Sequence, residues 1–354
     1  MSVFPNSHYR LSRRHAGFTL VELLVAMLLG LFLIGAIIGM FISNKEAYRI
    51  NENLARMQEG ARIVNELMSR EIREAGANPC GTPLVANVLN NKDSAWWADW
   101  NAGAITGFDD GQDTAPRTFG TGTADRVSGT DAFIIRTAGM LGGVAITGHV
   151  PNSAQFFVNK TDHGIGVNDI IMVCDYKTAA ITQVTGPAAI GTNNNIVHNT
   201  GQGTPGNCSK GLGYPTPDPC NNSAAGTNLK SFNDGFITKL MASFWYVGYN
   251  AQGGKSLFRM AMDGDPDNIV PVEIQQNVDD LQVEYLTRNG TTLASSYTGA
   301  SSISDWSDSA TDKVVAARVS LTLSSDDKNV STDRDALSRL LVNSVSLRNR
   351  EIVE

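Results

Sequence analysis

The sequence predicts an α+β fold, in which one long N-terminal helix is followed by a mainly antiparallel β domain. Three observations lead to this prediction. An apolar run of 24 residues occupies positions 18–41. Apolar residues at helical spacing continue over residues 42–76, and over residues 77–354 short alternating runs are separated by Gly, Asn, Asp and Pro. The first two patterns are typical of a helix, and the third is typical of strands joined by turns.

Composition and charge indicate a globular protein that does not attract nucleic acid through its overall charge. Of the 354 residues, 42% are hydrophobic and 18% are charged, which is enough to bury a core without long disordered segments. The net charge is −7, from 28 basic and 35 acidic side chains. Residues 1–17 hold three arginines and no acid, so their removal leaves 25 basic side chains against 35 and a net charge of −10. A surface of this sign repels phosphate backbones.

The apolar run is long enough to cross a membrane. At 1.5 Å per residue it spans about 36 Å, against a bilayer core of about 30 Å. Three arginines precede the run and only Lys45 and Arg49 follow it closely, so the positive-inside bias places the N-terminus in the cytoplasm and exports the chain after residue 42. A secretory signal peptide would have a shorter apolar core and a small-residue cleavage site after it.

One charge, Glu22, interrupts the apolar run. A carboxylate near the bilayer interior costs on the order of 3 kcal/mol, so it requires a partner and indicates a function. An ordinary signal anchor fits the length and orientation of the run, but it does not account for this charge.

The segment RRHAGFTLVE, residues 13–22, resembles the leader and cleavage site of type IV prepilins, with basic residues, Gly at the cut, an aromatic first mature residue and Glu at the fifth mature position. The resemblance implies that residues 1–17 are a class III leader. It implies that a prepilin peptidase cuts after Gly17 and methylates the new amine of Phe18, while the apolar segment is kept as a transmembrane and assembly helix. We expect Glu22 to pair with the Phe18 amine of a neighbouring subunit. The alternative is a contact within one subunit, either a local salt bridge to its own Phe18 amine or an interaction with its own helix N-terminus.

The second half of the helix, residues 42–76, is amphipathic. Opposite charges three or four residues apart occupy its outer faces, and Gly76 and Pro79 mark its end. The apolar stripe covers fewer than three heptads, which favours docking on a domain over a coiled coil. Its positions are Ile50, Leu54, Met57, Ala61, Val64 and Met68.

The body after Pro79 is predicted to contain nine strands. Residues 191–228 have no periodicity and are rich in Gly, Asn, Pro, Thr and Ser, so a long functional or flexible loop is expected there. The predicted strands are 132–137, 155–158, 169–174, 181–185, 236–248, 257–262, 278–287, 314–323 and 340–348.

The C-terminal strands carry a second resemblance. The segments VDDLQVEY (278–285), VVAARVSLTL (314–323) and VSLRNR (345–350) resemble the closing strands of PilW-like minor pilins. The length of the chain points the same way, because major pilins are usually much shorter. The middle of the chain has no such resemblance and is interpreted from its own chemistry.

Four cysteines follow the apolar run, on the side that is predicted to be exported. They are expected to be oxidised, and the sequence leaves all three pairings open. A Cys208–Cys220 bond would close a loop of about 13 residues and contribute roughly 3 kcal/mol. We favour this pair together with Cys80–Cys174, and free buried thiols are the alternative.

The sequence contains no pattern that predicts an enzyme. It has no nucleophile elbow, P-loop or Cys-x-x-Cys, and its five histidines lack metal-ligand spacing, so no catalytic residue, cofactor or metal ion is expected. Asp263, Asp265 and Asp267 alternate in a way that would present oxygens to Ca²⁺. The positions at which an EF-hand needs Gly and Glu hold Asn268 and Ile274, which favours a solvated turn between two strands.

Trp96, Trp97 and Trp100 are the other weak ligand candidates. If these side chains were exposed, the cluster would offer a binding surface for a sugar or a partner protein. Large aromatic residues are more often core or interface anchors, and we favour that interpretation.

Taken together, the sequence predicts a minor pilin of a bacterial type IV pilus that contributes to priming, assembly or the tip of the fibre. Its expected partners are the prepilin peptidase, other minor and major pilins and the inner membrane, with no direct nucleic acid. Its expected location is the inner membrane, with the body in the periplasm, and then the pilus at the cell surface. A minor pseudopilin of a type II secretion system shares the leader, Glu22 and the long helix. A membrane-tethered sugar- or calcium-binding adhesin is the alternative from another class.

Overall fold

The long N-terminal helix is present as predicted. The structure is a computed structural model, and it describes residues 17–79, 81, 84–112, 116–139, 143–187, 191–215, 229–328 and 335–350. Helix α1 extends over Leu20–Glu74, 55 residues, and ends where the sequence predicts. Gly76 follows in the left-handed region at φ +67°, which favours glycine, and a Cβ there would lie 2.7 Å from the Cβ of Ala104. The predicted leader, apart from Gly17, lies outside the described residues.

The body is built from β-strands, and all nine predicted strands are present with bounds that differ by at most two residues. Six further strands in the described residues are short or lie at a sheet edge, where the alternating pattern is too brief to recognise. The strands are β1 (Val85–Asn87), β2 (Ile105–Phe108), β3 (Ala132–Ala138), β4 (Ile146–Val150), β5 (Gln155–Val158), β6 (Ile170–Cys174), β7 (Ala179–Gln183), β8 (Asn195–Val197), β9 (Phe236–Tyr249), β10 (Lys255–Asp263), β11 (Pro271–Gln276), β12 (Val278–Asn289), β13 (Thr292–Leu293), β14 (Asp312–Ser324) and β15 (Ser338–Ser346).

Short 3₁₀ helices connect several of these strands, at Trp100–Ala102, Pro151–Ser153, Pro266–Asn268, Ala300–Ser302 and Arg348–Arg350. The segment predicted as a long loop, 191–228, contains the three-residue strand β8, and residues 216–228 lie outside the described residues.

The strands form three sheets. The largest has eight strands in the order β1-β7-β6-β9-β10-β11, with β3 also paired to β9 and β2 to β3. Strand β9 is its centre, because β10 runs along one side of it while β6 and then β3 share the other. A four-stranded antiparallel sheet has the order β13-β12-β14-β15, and a three-stranded sheet has the order β4-β5-β8.

The second half of α1 packs on the body and completes its main core. Met57, Val64 and Ile72 on the helix share one cluster with Trp245 of the eight-stranded sheet and Leu321 of the four-stranded sheet. The helix therefore closes the space between the two sheets. This confirms the docking predicted from the apolar stripe.

One position of the predicted stripe is wrong. Leu54 is 36% exposed, whereas Asn53 beside it is 6% exposed. The amide of Asn53 donates to the backbone oxygen of Arg49 at 2.9 Å and to the carboxylate of Asp327 at 3.0 Å. These bonds satisfy a polar side chain on the docked face and leave Leu54 outside it.

Candidate assembly helix and the candidate sites on the body

The N-terminus of α1 is closed by a capping box. The backbone N–H of Glu22 donates to the Thr19 hydroxyl at 3.3 Å, and the Glu22 carboxylate accepts the Thr19 backbone N–H at 3.3 Å. Phe18, the predicted first mature residue, is 86% exposed directly before the cap. In the single chain, the carboxylate of Glu22 therefore has a local partner at its own helix start.

The first part of α1 is apolar and uncovered. From Leu20 to Tyr48 every residue except Gly30 is exposed, and Gly30 is half-buried. The most apolar 18-residue window has a mean hydropathy of 2.8, and none of it is buried. By length and composition this segment qualifies as a membrane span.

Two acidic residues of the body hold α1 where it leaves the domain. Asp327 accepts from Arg49 at 3.2 Å and from Asn53, and Asp326 lies 3.7 Å from Arg56. The hydrogen bond from Asn53, followed by the contacts with Arg49, lowers the pKa of Asp327. These exposed pairs contribute little stability individually, but they define the point from which the uncovered helix projects.

A second contact fixes the other end of the docked segment. Glu71 accepts the indole N–H of Trp245 and the hydroxyl of Ser243, both at 2.6 Å, with one carboxylate oxygen. Its other oxygen lies 2.7 Å from the guanidinium of Arg259. Because Trp245 and Ser243 are buried, the carboxylate satisfies two polar groups that would otherwise have no water to bind.

The aspartates proposed as a weak calcium site lie in a turn between β10 and β11. Asp263 ends β10, and Asp265 accepts the backbone N–H of Asp267 at 3.0 Å and the amide of Asn268 at 2.6 Å. Asp265 therefore caps the 3₁₀ helix that follows it. Among the described residues, no three His, Cys, Asp or Glu side chains are grouped so that they hold a metal ion.

The three tryptophans do not form an exposed aromatic patch. Trp97 is 6% exposed, and the ring of Trp96 lies 6.3 Å from that of Phe244. Trp100 is half-buried and lines a polar cavity near the end of α1. All three rings therefore pack in or against the core, and Trp100 also lies at a cavity wall.

Cys174 and Cys208 are each disulfide-bonded in the structure. Their predicted partners, Cys80 and Cys220, lie outside the described residues, so the pairing stays a prediction.

The structure contains a buried histidine pair that no sequence pattern indicates. The Nε2 atoms of His149 and His198 lie 3.1 Å apart, and Nδ1 of His149 accepts the backbone N–H of Phe232. Burial lowers the pKa of His149 to about 4 and that of His198 well below its ordinary value. The two residues are 49 positions apart, with His149 in β4 and His198 directly after β8, so only the fold reveals their contact.

Comparisons with known proteins find similarity in two segments of the chain. Residues 12–38 match the prokaryotic N-terminal methylation motif, and residues 244–349 match the family of type IV pilus-assembly protein W. The first match includes the capped helix start, and the second extends from the second half of β9 to the last 3₁₀ helix.

Among solved structures, a type IV-like pilin from Thermus thermophilus is similar at 15% identity, over 31% of this chain and 69% of that one, with a TM-score of 0.21. No curated protein matches the chain significantly. Over these two segments, which lie on the long apolar helix and in the antiparallel β domain, the chain is similar to type IV pilin-like proteins of the PilW kind.

Proposed function

We propose that this chain is a minor subunit of a type IV pilus, which takes part in priming or assembling the fibre or in forming its tip. The proposal rests on the different surroundings of the two parts of α1. Its first part, to Tyr48, is apolar and uncovered, and its second part is fixed to the body at Asp327 and Glu71. An uncovered apolar helix needs a bilayer or other helices around it.

The same division supports the proposed processing. Gly17 and Phe18 precede the capped helix start and are exposed, so a peptidase reaches the bond between them without unfolding α1. In this proposal the prepilin peptidase cleaves that bond and methylates the amine of Phe18. The body is exported, and the helix stays in the inner membrane until the subunit joins other pilins.

Cleavage also gives Glu22 a second possible partner. In the precursor its carboxylate accepts from Thr19. After cleavage a cationic amine exists at Phe18, and the amine of a neighbouring subunit reaches Glu22 only when the two helices lie in register. Since desolvation cancels much of the attraction between buried charges, this pair would specify register more than it adds stability.

A gene deletion tests the proposal. Loss of surface pili and twitching, restored by the wild-type gene, is the expected result. Unchanged pili with loss of enzyme export would instead assign the chain to a type II secretion system as a minor pseudopilin. Mass spectrometry of the mature protein provides the matched control, because a methylated Phe18 is expected in both cases and an intact leader in neither.

A further inference from the structure

A polar cavity lies where α1 ends and the C-terminal part of the chain returns to it. Its volume is about 380 Å³, within the range of small-molecule sites. Its wall contains the half-buried indole of Trp100, the amide residues Asn78 and Asn349, and the cations Arg288 and Lys313.

The remaining charges in the wall neutralise each other. Arg350 is 8% exposed and forms an ion pair with Asp308. It also donates to the backbone oxygens of Val314 at 3.2 Å and Trp306 at 3.3 Å. Arg350 is therefore committed to the fold, and Asp308 is committed to Arg350.

Arg288 and Lys313 are a like-charge pair. They are directly opposite each other on the antiparallel strands β12 and β14, an arrangement that destabilises a sheet. Arg288 gives one N–H to the backbone oxygen of Arg350 at 2.6 Å. Within the described part of the chain, neither cation forms an ion pair, since the nearby Asp312 accepts from Asn289 instead. Among the residues that the structure describes, these two adjacent cations at the cavity wall therefore have no compensating anion.

We propose that this cavity binds an acidic saccharide. The carboxylate of a uronic acid unit lies between Arg288 and Lys313, and the face of its pyranose ring packs on Trp100. A carboxylate between two cations gives charge-assisted hydrogen bonds, and an aromatic ring offers a flat apolar face to a sugar ring. The indole in the wall favours a saccharide over an acidic peptide, because it matches the apolar face of a sugar ring. This site is independent of the proposed role in the fibre.

The overall charge of the protein makes the proposal specific. At −7, the chain repels polyanions in general, so an acidic sugar binds only where cations are locally concentrated. Binding at this cavity would weaken with added salt, because the partly exposed Lys313 is screened.

The test is calorimetry of the full chain in detergent micelles with trigalacturonate, its neutral methyl ester and triglutamate. Trigalacturonate alone should bind. Lys313→Gln should weaken binding by about tenfold or more, the loss expected for one charge-assisted hydrogen bond. Trp100→Leu should also weaken it. Lys210→Gln, the matched control, removes the same charge from a lysine that does not line the cavity and should change nothing.

Lys313→Gln should also raise the melting temperature of the ligand-free protein, since it removes the like-charge contact, and this shows that the variant is folded. Absence of trigalacturonate binding would overturn the proposal, as would equal effects of Lys313→Gln and Lys210→Gln. Binding of triglutamate with the same affinity, unaffected by Trp100→Leu, would assign the cavity to acidic peptides and contradict a saccharide site.

Discussion

The carboxylate of Glu71 in α1 accepts the indole N–H of Trp245 in β9 at 2.6 Å, and this bond joins the helix to the central strand of the largest sheet. The same carboxylate accepts from Ser243 and pairs with Arg259. One side chain of the helix thus satisfies three groups of the sheet.

Replacing Glu71 with Ala should therefore destabilise the body. The change leaves two buried donors without an acceptor and Arg259 without its counter-charge, at a cost of about 2 to 4 kcal/mol. Urea denaturation of the full chain in detergent, followed by tryptophan fluorescence, measures it. Glu66→Ala, at an exposed position on the same helix, is the control and should cost under about 0.5 kcal/mol. Equal costs for the two variants would contradict the assigned role of Glu71.

Gly60 and Gln275 should show coupled effects on stability. A Cβ at Gly60 would lie 2.1 Å from Oε1 of Gln275, so Gly60→Ala requires that side chain to move. Ala is favoured over Gly in a helix interior by roughly 1 kcal/mol, and the clash offsets this gain. We expect Gly60→Ala alone to be nearly neutral and to stabilise by about 0.5 to 1 kcal/mol in a Gln275→Ala background. A purely additive double-mutant cycle would show that the two side chains do not interact.

Glu22→Ala should separate processing from assembly. The variant makes the segment more apolar, so insertion and cleavage after Gly17 should persist, while incorporation into fibres should fall sharply. Thr19→Ala is the matched control, because it removes the hydroxyl of the capping box but keeps the carboxylate. It should cost about 1 kcal/mol of helix stability and assemble close to normally. If both variants assembled equally poorly, local capping would account for Glu22 and the contact between subunits would be unnecessary.

The pair of His149 and His198 should make stability fall at acid pH. Burial lowers the pKa of His149 from 6.5 to about 4, so the unfolded chain binds this proton first as the pH falls. The stabilising contribution of His149 to the free energy of unfolding is fully present above pH 6.5. It is lost as the pH falls from 6.5 to 4, and the loss is on the order of 3 kcal/mol. Burial raises the pKa of Asp131 to about 6, which opposes the loss because the folded protein then binds the proton more readily.

Comparing the pH dependence of melting between the wild type and a variant without the two histidines isolates their effect on stability. Melting profiles from pH 7 to pH 4 should be steeper for the wild type than for a His149→Phe/His198→Phe variant, whose rings pack in the same Phe156 and Phe232 surroundings. Asp131→Asn should steepen the wild-type profile further. Parallel profiles for the wild type and the double variant would show that the two histidines do not titrate as described.

If the body is exported as proposed, the protein should contain no free thiol. Cys174 and Cys208 are both disulfide-bonded, and an oxidising compartment keeps such bonds formed. Mass analysis without reduction should find two disulfides, and peptide mapping should recover Cys208 linked to Cys220. Recovery of Cys174 linked to Cys220 would contradict the pairing that we favour, and two free cysteines would contradict export in oxidised form.

The parts of this fold that sequence reasoning could predict are those with a local periodic signal. Helix α1 has 55 residues, and strands β9 and β14 are also long, so the helical or alternating pattern of apolar residues repeats many times in each. Their presence and their ends can therefore be predicted from the sequence. Strands β8 and β13, of three and two residues, are too short to repeat anything.

The contacts that attach the helix to the body could not be predicted from periodic patterns in the sequence. Glu71 meets Ser243 and Trp245 across 172 and 174 residues, and periodicity marks Glu71 only as a charge near the buried stripe. The capping box was visible in principle, because Thr19 and Glu22 have the required spacing. The resemblance to prepilins concerns the pairing of Glu22 with another subunit and carries no information about its contact with Thr19.

The positions of the two fixed ends of the docked segment have a mechanical consequence. Arg49 and Glu71 are separated by 22 residues of continuous helix, about 33 Å. A pull along the helix axis, such as a retracting fibre exerts, is therefore shared by the contacts at Asp327, the apolar stripe and β9 at the same time. Bonds loaded together in shear must break together, whereas bonds loaded one after another peel apart at low force. The body should consequently detach from its helix in one step under such a pull, and not by gradual peeling.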